Sequence, residues 1–536
     1  MLRTIRIILA VFFFVSISFL FLDFTGTVND GLGWTAKLQI LPAILSLNIA
    51  VMIGIAIMTL IVGRFYCSTI CPLGVMQDIV SWLAGKRKKN RFIWSAGTKG
   101  LRYCVFFLFA VLVVFTVGTS VYALALLIEP YSAFGRMVSQ FLTPAIQWIN
   151  NLFALLANRM GEYIPGPVEL HPFNVTMFAI ALASFVVIIV MAWRKGRLYC
   201  NSICPVGTLL GLLSRFSLYK PRIHNDKCVH CGLCEKKCKS SCIDSEHREI
   251  DYSRCVVCGD CMKACKTNAI QFELPLRKPT SSDSTVHSES AANSVATPPQ
   301  PADARPADSR HSDKSPESSG TVLARRGFLA GVVYLLAAKT VNAQKPKQEF
   351  EQRGDGGLAS LKERILPTRE TAIVPPGAVS LRHFDRCCTA CQLCVSACPS
   401  HVLQPSSRLK NLMKPEVSFK HGWCRPECTE CSQVCPTGAI HFLSTADKSS
   451  QQIGHSVWTK ERCIVLTDDV KCDNCARHCP TEAIQMVLVD PDNPKSKKIP
   501  VVDVEKCIGC GACEFLCPAR PVSAIHVEGH ERHRTI

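Results

Sequence analysis

Long apolar stretches alternate with polar connections over the first part of the chain. Four of them approach or exceed the roughly 20 mostly apolar residues that a bilayer-spanning helix needs. They are Ile5 to Leu22, Leu41 to Val62, Tyr103 to Ile128 and Phe173 to Trp193. Buried core helices are the alternative, but they are rarely this long and this poor in charge. The pattern therefore predicts a four-helix transmembrane module over residues 1–215.

Basic residues predict the orientation of this module. The connection after the second stretch is rich in lysine and arginine and has Asp78 as its acid, and the segment after the fourth stretch also begins with basic residues. The connections at 24–40 and 129–172 are nearly neutral. Because Lys and Arg favour cytoplasmic loops, we expect both ends of the module to face the cytoplasm. The weakly amphipathic stretch from Phe141 to Met160 favours an interfacial helix and a packed surface helix equally.

Beyond residue 215 the chain changes to cysteine-rich segments of soluble character, at 216–275 and 344–536. Residues 276–324, rich in Ser, Ala, Pro and Asp without periodicity, predict a disordered linker. At 325–343 two arginines precede Phe-Leu and a short apolar run, which is typical of a twin-arginine export signal. The alternative is the basic flank of a fifth span. Both predict that residues 344–536 lie on the outer side of the membrane.

Composition narrows the range of functions. The chain has 31 cysteines among 536 residues, so the thiols serve chemistry or cross-linking. Its charged fraction of 19% is below the value of about 25% that is usual for soluble proteins. A net charge of +18 would suit nucleic acid, but its distribution along the chain indicates membrane orientation, and we expect no nucleic-acid partner.

Two cysteine runs in residues 216–275 have the spacing of bacterial ferredoxins. In such a run the first three thiolates hold one [4Fe–4S] cluster and the fourth holds the other. The predicted ligand sets are Cys228, Cys231, Cys234 and Cys265 for one cluster, and Cys255, Cys258, Cys261 and Cys238 for its partner. Lys239 and Lys266 replace the usual proline after the fourth cysteine. A zinc site is the alternative, but it would not explain two matched runs.

Residues 344–536 contain four further runs, which predict four more clusters. Their cysteines are Cys388, Cys391, Cys394 and Cys398; Cys424, Cys428, Cys431 and Cys435; Cys463, Cys472, Cys475 and Cys479; and Cys507, Cys510, Cys513 and Cys517. Disulfides are the alternative for an exported domain, but cysteines so close in sequence are poor partners for one another. Sequential and nested pairing of the runs both remain open. The looser spacers of the two middle runs favour the nested arrangement.

Seven cysteines remain. Cys242 and Cys387 adjoin runs and are interpreted as bystanders, and Cys104 as a packing residue. The other four belong to a repeat, in which the segment from Arg64 to Gly74 matches the segment from Arg197 to Gly207. The repeat thiols are Cys67, Cys71, Cys200 and Cys204. If the two copies meet at a pseudo-two-fold axis, the four thiols could hold an iron–sulfur centre or Cu(I); the alternative is a pair of helix-ending turns without redox activity.

These motifs carry a family resemblance. The first 270 residues resemble the NapH-type membrane quinol dehydrogenase subunit, whose core the NosR and CcoG proteins share, and residues 325–536 are similar to the exported NapG and MauM ferredoxins. The implied fold is a multi-domain one: an α-helical transmembrane bundle of four spans plus a signal or anchor helix, with bacterial-type dicluster ferredoxin α+β domains on both sides. It implies a multi-pass protein of the inner membrane.

The resemblance also implies a function, which is electron transfer between the membrane quinone pool and a periplasmic terminal reductase or redox protein. Quinol would be the donor and six [4Fe–4S] clusters the carriers. Quinol oxidation needs a proton acceptor, for which Glu129, Glu162, Glu169 and His171 are candidates, although residues of this kind are more often solvated loop residues. A CcoG-like copper-reducing assembly factor and a scaffold stabilised by its clusters are alternatives. The terminal acceptor and the direction of electron flow stay open.

Overall fold

The computed structural model describes residues 2–23, 27–86, 92–115, 122–160, 168, 170, 172–274 and 364–536. The linker and the export signal predicted at 276–324 and 325–343 lie outside these residues. The described residues form a helical module up to residue 215, a first ferredoxin module at 216–274 and a second ferredoxin module at 364–536. All three belong to one compact unit.

The helical module contains helices of very unequal length. They are α1 (Leu2–Leu22), α2 (Thr27–Leu32), α3 (Trp34–Lys37), α4 (Ile40–Leu45), α5 (Ile49–Val62), α6 (Tyr66–Thr69), α7 (Pro72–Gly85), α8 (Lys99–Phe115), α9 (Tyr122–Ile128), α10 (Pro130–Met137), α11 (Thr143–Met160), α12 (Val175–Lys195), α13 (Leu198–Ser202) and α14 (Pro205–Ser214), with a π-helical turn at Val138–Leu142. Among the described residues, two helical segments are long and apolar enough to cross a membrane, Arg3–Leu22 and Val175–Lys195.

The second predicted span, Leu41 to Val62, is not one helix. It breaks between α4 and α5, where Leu47 adopts a left-handed conformation with φ of 53°. Asn48 then begins α5 by accepting a hydrogen bond from the Val51 amide, as a helix N-cap does. A left-handed residue followed by a cap therefore interrupts the apolar run, at the point where Ser46 and Asn48 are polar.

The third predicted span, Tyr103 to Ile128, is also wrong as a single crossing. At the start of α8, Arg102 donates to the Gly207 carbonyl (3.0 Å), and at the end of α9 the Ile128 carbonyl accepts from the Tyr199 hydroxyl (2.6 Å). Both partners belong to the second copy of the cysteine repeat. The chain therefore leaves this motif and returns to it, and α9 and α10 form a hairpin with Glu129 at its tip.

Both ferredoxin modules consist of short strands and helices around cysteine loops. The first contains β1 (Lys220–Ile223), β2 (Ile243–Asp244), β3 (Glu249–Ile250), β4 (Ile270–Glu273), α15 (Leu233–Lys236) and α16 (Asp260–Ala264). Strand β1 pairs antiparallel with β4, and β2 with β3. The register Lys220 to Glu273 closes the module on itself, so that its first and last strands are neighbours.

The second ferredoxin module has three antiparallel strand pairs. Its strands are β5 (Leu403–Pro405), β6 (Pro415–Val417), β7 (Gln451–Trp458), β8 (Ile484–Leu488), β9 (Lys498–Val502) and β10 (Ile525–Thr535), and its α-helices are α17 (Leu381–Cys387), α18 (Leu393–Ser396), α19 (Glu430–Val434), α20 (Thr445–Ser449), α21 (Ile464–Thr467), α22 (Asn474–Arg477) and α23 (Ala512–Leu516). The pairs are β5–β6, β8–β9 and β7–β10. The longest pair, β7–β10, joins the middle of this module to its C-terminal end.

The helical module contacts the second ferredoxin module through α10 and the turn that follows. Ser139 and Ser396 share a hydrogen bond of 3.0 Å between their hydroxyls. A Cβ atom on Gly135 would lie 2.5 Å from the Cys391 carbonyl oxygen and 2.6 Å from the Phe21 ring. The absence of a side chain at Gly135 therefore allows this close approach.

Replacing Gly135 with alanine tests the contact. We expect Gly135→Ala to destabilise the protein by about 1–3 kcal/mol, the usual cost of overpacking a tight site. The measurement is the midpoint of thermal unfolding in detergent. Gly54→Ala in α5 is the matched control, since a Cβ there meets nothing within 4 Å. Equal midpoints for the two variants would contradict the close contact.

Candidate iron–sulfur sites and the four-thiol site

The ferredoxin loops bring the thiols of the first module into two groups of four, as the sequence predicts. We call them cage A (Cys228, Cys231, Cys234 and Cys265) and cage B (Cys255, Cys258, Cys261 and Cys238), and each lines its own small cavity. In each loop the residues on both sides of the second cysteine are left-handed, namely His230 and Gly232, and Val257 and Gly259. Alternation of this kind turns amides inward, as in many Fe–S sites.

The second module contains four more groups. They are cage C (Cys388, Cys391, Cys394 and Cys435), cage D (Cys424, Cys428, Cys431 and Cys398), cage E (Cys507, Cys510, Cys513 and Cys479) and cage F (Cys463, Cys472, Cys475 and Cys517). The first run thus exchanges its fourth cysteine with the second run, and the third run with the fourth. Pairing is sequential, and the preference for a nested arrangement was wrong.

The longer spacers of the second and third runs change the local loops. They do not change which runs share their fourth cysteines. In cage F, eight residues separate Cys463 from Cys472, and they form helix α21 and a turn. The extra residues are accommodated outside the cage. The fourth cysteine of each run still belongs to the cage of the run that is paired with it and adjacent to it in sequence.

The four cages of the second module follow one another in space. Cages C and D share the loops of the first two runs, and cages E and F those of the last two. The Cys424 amide of cage D donates to the Cys510 carbonyl of cage E, at 2.9 Å. Cage C is the one next to the helical module, through the Cys391 carbonyl at Gly135. The spatial order is therefore C, D, E, F.

The cages fit iron–sulfur clusters chemically. Each provides four sulfur donors, and backbone amides donate to several of them, such as Ala390 to Cys388 (3.4 Å) and Ala524 to Cys517 (3.3 Å). Burial raises the pKa of the Cys398 thiol to about 11 and that of Cys510 to about 12. Bare thiols there would keep their protons at neutral pH, and metal binding replaces them. In the described residues no three His, Cys, Asp or Glu side chains gather closely enough for a single metal ion.

The two copies of the cysteine repeat do meet. Cys67, Cys71, Cys200 and Cys204 are all buried in one continuous core, which also contains Cys391 of cage C and packs against Cys258 of cage B. We call this group the four-thiol site. Cys71 and Cys204 each precede a proline and cap the helix that follows, and the Gly207 amide donates to the Cys204 sulfur (3.3 Å). Helix N-termini favour thiolates, but burial raises the pKa of both Cys71 and Cys204, so these thiols would lose their protons only to a bound metal.

Two buried arginines join the copies by exchanged hydrogen bonds. Arg64 donates to the Cys200 carbonyl at 3.1 Å, and Arg197 donates to the Cys67 carbonyl at 2.6 Å. Gly74 and Gly207 leave room for them, because a Cβ at either position would overlap the opposite arginine. The sequence repeat contains these residues, but the crossed contact between copies was not predicted.

Asp78 fixes one of these arginines and connects the four-thiol site to cage B. Its carboxylate accepts from Arg197 (2.7 Å), Arg6 (2.9 Å) and Lys239 (3.0 Å). Burial opposes ionisation, but these cations lower the pKa of Asp78 well below its ordinary value. Lys239 stands where ferredoxins usually have proline, next to Cys238 of cage B. Its ammonium group thus has a role here that proline could not perform.

Of the four candidate proton acceptors, the described residues include Glu129. Glu129 is 1% exposed and accepts hydrogen bonds from the amides of Tyr131 and Ser132 at the start of α10. It is therefore a buried capping carboxylate rather than a solvated loop residue. Glu162, Glu169 and His171 lie outside the described residues. Cys242 was also misinterpreted, because it lies in the wall of cage B.

This architecture defines a protein of serial ferredoxin modules, and comparisons with known proteins agree. Models described as "4Fe-4S binding domain" match residues 47–90, 177–224 and 248–271, and one described as "4Fe-4S dicluster domain" matches 470–520. The first two segments contain the cysteine repeats of the four-thiol site. No solved structure matches the chain.

Curated relatives identify the family. The methylamine utilization ferredoxin-type protein MauM of Methylobacillus flagellatus is 32% identical over 166 residues, which are 30% of this chain and 70% of the relative. MauM of Methylophilus methylotrophus is 33% identical over 30% of this chain and 72% of the relative, and the ferredoxin-type protein NapG of Escherichia coli is 29% identical over 34% and 84%. Through this part, the chain belongs to the MauM family of ferredoxin-type proteins.

A double substitution tests the sequential pairing. Cys388→Ser with Cys435→Ser removes two ligands of the same cage, so we expect a loss of about four irons per chain. The control pair, Cys388→Ser with Cys398→Ser, affects cages C and D and should lose about eight. Iron analysis of anaerobically purified protein measures both. Nested pairing would give about eight irons lost in each case.

Asp78→Asn tests the buried ion cluster. It leaves three cations without their carboxylate in a buried site, and breaking such a pair costs about 3–5 kcal/mol. We expect a large fall in the midpoint of thermal unfolding. The control is Asp473→Asn, which removes an exposed ion pair with Arg477 and should change stability by about 0.3–0.5 kcal/mol. Similar effects of the two substitutions would contradict a structural role for Asp78.

Proposed function

We propose that the protein is a membrane-bound electron-transfer protein that connects the quinol pool with a redox enzyme on the periplasmic side. The observation that carries this proposal is the order of the thiol sites: cages A and B, the four-thiol site, then cages C to F. Oxidation of a quinol releases two electrons and two protons, and [4Fe–4S] clusters accept electrons one at a time. A series of such carriers suits this donor.

The proposal includes six [4Fe–4S] clusters, one in each cage, and a further iron–sulfur centre at the four-thiol site, whose thiols do not gather closely enough for a single metal ion. Four buried sulfur donors, two of them at helix N-termini, support the further centre. Arg64 and Arg197 add positive charge next to the thiols, which would stabilise an anionic thiolate centre. When bound, the clusters supply reversible one-electron chemistry; the protein supplies their spacing, burial and hydrogen bonding.

We further infer a multi-pass location in the inner membrane and a NapH-like identity for the helical module. Helices α1 and α12 support membrane insertion by length and composition. The hairpin of α9 and α10 would enter the bilayer without crossing it, which is tolerated where protein buries its backbone. A twin-arginine signal would export residues 344–536 folded, with clusters already inserted.

A copper-reducing assembly factor of the CcoG kind is the second candidate. Buried thiols, as in the four-thiol site, are ligands that suit Cu(I), but no three of them gather closely enough here for a single metal ion. Cages C to F argue against it, because copper reduction needs no relay of four clusters beyond the membrane. Copper binding at the four-thiol site would support this alternative.

Anaerobic purification with iron and sulfide analysis is the first test. Six cubanes predict about 24 irons per chain. A reduced water-soluble quinol analogue should then bleach the cluster absorbance and produce reduced-cluster signals in electron paramagnetic resonance. Cys104→Ser is a control that changes an exposed thiol outside every cage and should leave both results unchanged.

Two results would contradict the proposal. About eight irons per chain would mean that the second module holds no clusters. A full iron complement with no cluster reduced by the quinol analogue would exclude quinol as the donor. Reduction of the clusters by a different physiological donor would then identify that donor as the partner.

A further inference from the structure

A fifth thiol, that of Cys242, lines the cavity of cage B beside its four cysteines. Cys242 is only 2% exposed, and its sulfur lies 3.5 Å from the sulfur of Cys238. It also lies close enough to the Cys255 thiol for the two to interact electrostatically. Both neighbours are ligand positions of cage B, so the thiol of Cys242 lies between two sulfurs that would bind the same cluster.

The backbone holds Cys242 in this position. Its carbonyl accepts from the Asp251 amide at 2.8 Å, and the next residue, Ile243, begins strand β2. Ser241, just before it, is left-handed with φ of 48°. The fifth thiol is thus built into the cage wall.

Cage A provides an internal comparison. Cys242 follows Cys238 by four residues, and the residue at the same distance from Cys265 in cage A is Ala269. The local backbone is alike, since Asn268 is left-handed with φ of 53°, as Ser241 is. Ala269 is also buried, at 1% exposure. The two positions therefore differ in the presence of a thiol.

The other four cages also lack this thiol. The residues four positions after their last cysteines are Val402, Ala439, Ala483 and Pro521. None of these side chains can donate a hydrogen bond. The fifth thiol consequently distinguishes cage B from all the others.

A hydrogen bond to a cluster sulfur favours the more electron-rich, reduced state of the cluster. Ligand sulfurs bound to iron accept such bonds, and the partners of first ligands commonly tune a metal site. Cys242 is placed to donate its S–H proton to the Cys238 or the Cys255 sulfur. An alanine at the same position cannot.

We propose that Cys242 is a positioning residue of cage B that donates a hydrogen bond to its ligand sulfurs and so raises the reduction potential of the cluster held there. The inference rests on the clusters of the proposed function, and it does not depend on quinol as the donor. Electrons in the first ferredoxin module would accordingly be drawn toward the cage that faces the helical module.

The test is a redox titration of the full-length protein, followed by electron paramagnetic resonance, in three variants. Cys242→Ala should keep the iron content and shift one cluster component to a more negative potential. Cys242→Ser retains a donor and should shift it less. The converse variant, Ala269→Cys, should shift a different component to a more positive potential.

Cys104→Ala is the matched control, since this exposed thiol lies in α8 and outside every cage. It should leave all potentials unchanged. Unchanged potentials in both Cys242→Ala and Ala269→Cys would overturn the proposal. So would a loss of about four irons in Cys242→Ser but not in Cys238→Ser, because Cys242 would then be the ligand itself. The wild-type iron count separately reports whether the proposed clusters exist.

Discussion

The exchanged hydrogen bonds of Arg64 and Arg197 are the interaction on which the arrangement of sites depends. Each arginine holds the loop of the other copy by its cysteine carbonyl. A buried guanidinium is costly unless its donors are satisfied, so the two loops are stable only when both copies are assembled. This makes the four-thiol site a property of the assembled helical module, and both ferredoxin modules are attached around it.

Further contacts connect the four-thiol site to cage B on one side and to cage C on the other. Toward cage B, Arg64 donates to the Ser253 carbonyl (3.0 Å), and Asp78 joins Arg197 to Lys239. Toward cage C, the hairpin of α9 and α10 contacts Tyr199 through the Ile128 carbonyl and the Cys391 carbonyl through Gly135. A helix of seven residues such as α9 is about 10 Å long. The hairpin therefore brings cage C within a short distance of the four thiols. Glu129, the proton-acceptor candidate that the described residues include, is buried at its tip.

Apart from their cysteine cages, the ferredoxin modules have few structural elements that could stabilise them. Their strands are mostly two to five residues long, and cysteines form a large part of their buried clusters. Metal binding contributes directly to folding in modules of this kind. The longest strand pair, β7–β10, joins the middle of the second module to its C-terminal end. It brings the last run back beside the third, so sequential pairing follows from the fold of this module.

The sequence by itself determined the ligand groups of cages A and B, the membership of the sixteen thiols in the second module, and the repeat that carries Cys67 and Cys200. These follow from spacing, because three thiolates around one cluster corner require a short loop of fixed length. Only the tertiary structure decided the sequential pairing, the break at Leu47, the return of the chain at Glu129 and the place of Cys242. Each depends on contacts between residues far apart in the chain or on one backbone conformation. Contacts between distant residues leave no trace in hydrophobicity or spacing, whereas the break at Leu47 is marked by polar Ser46 and Asn48.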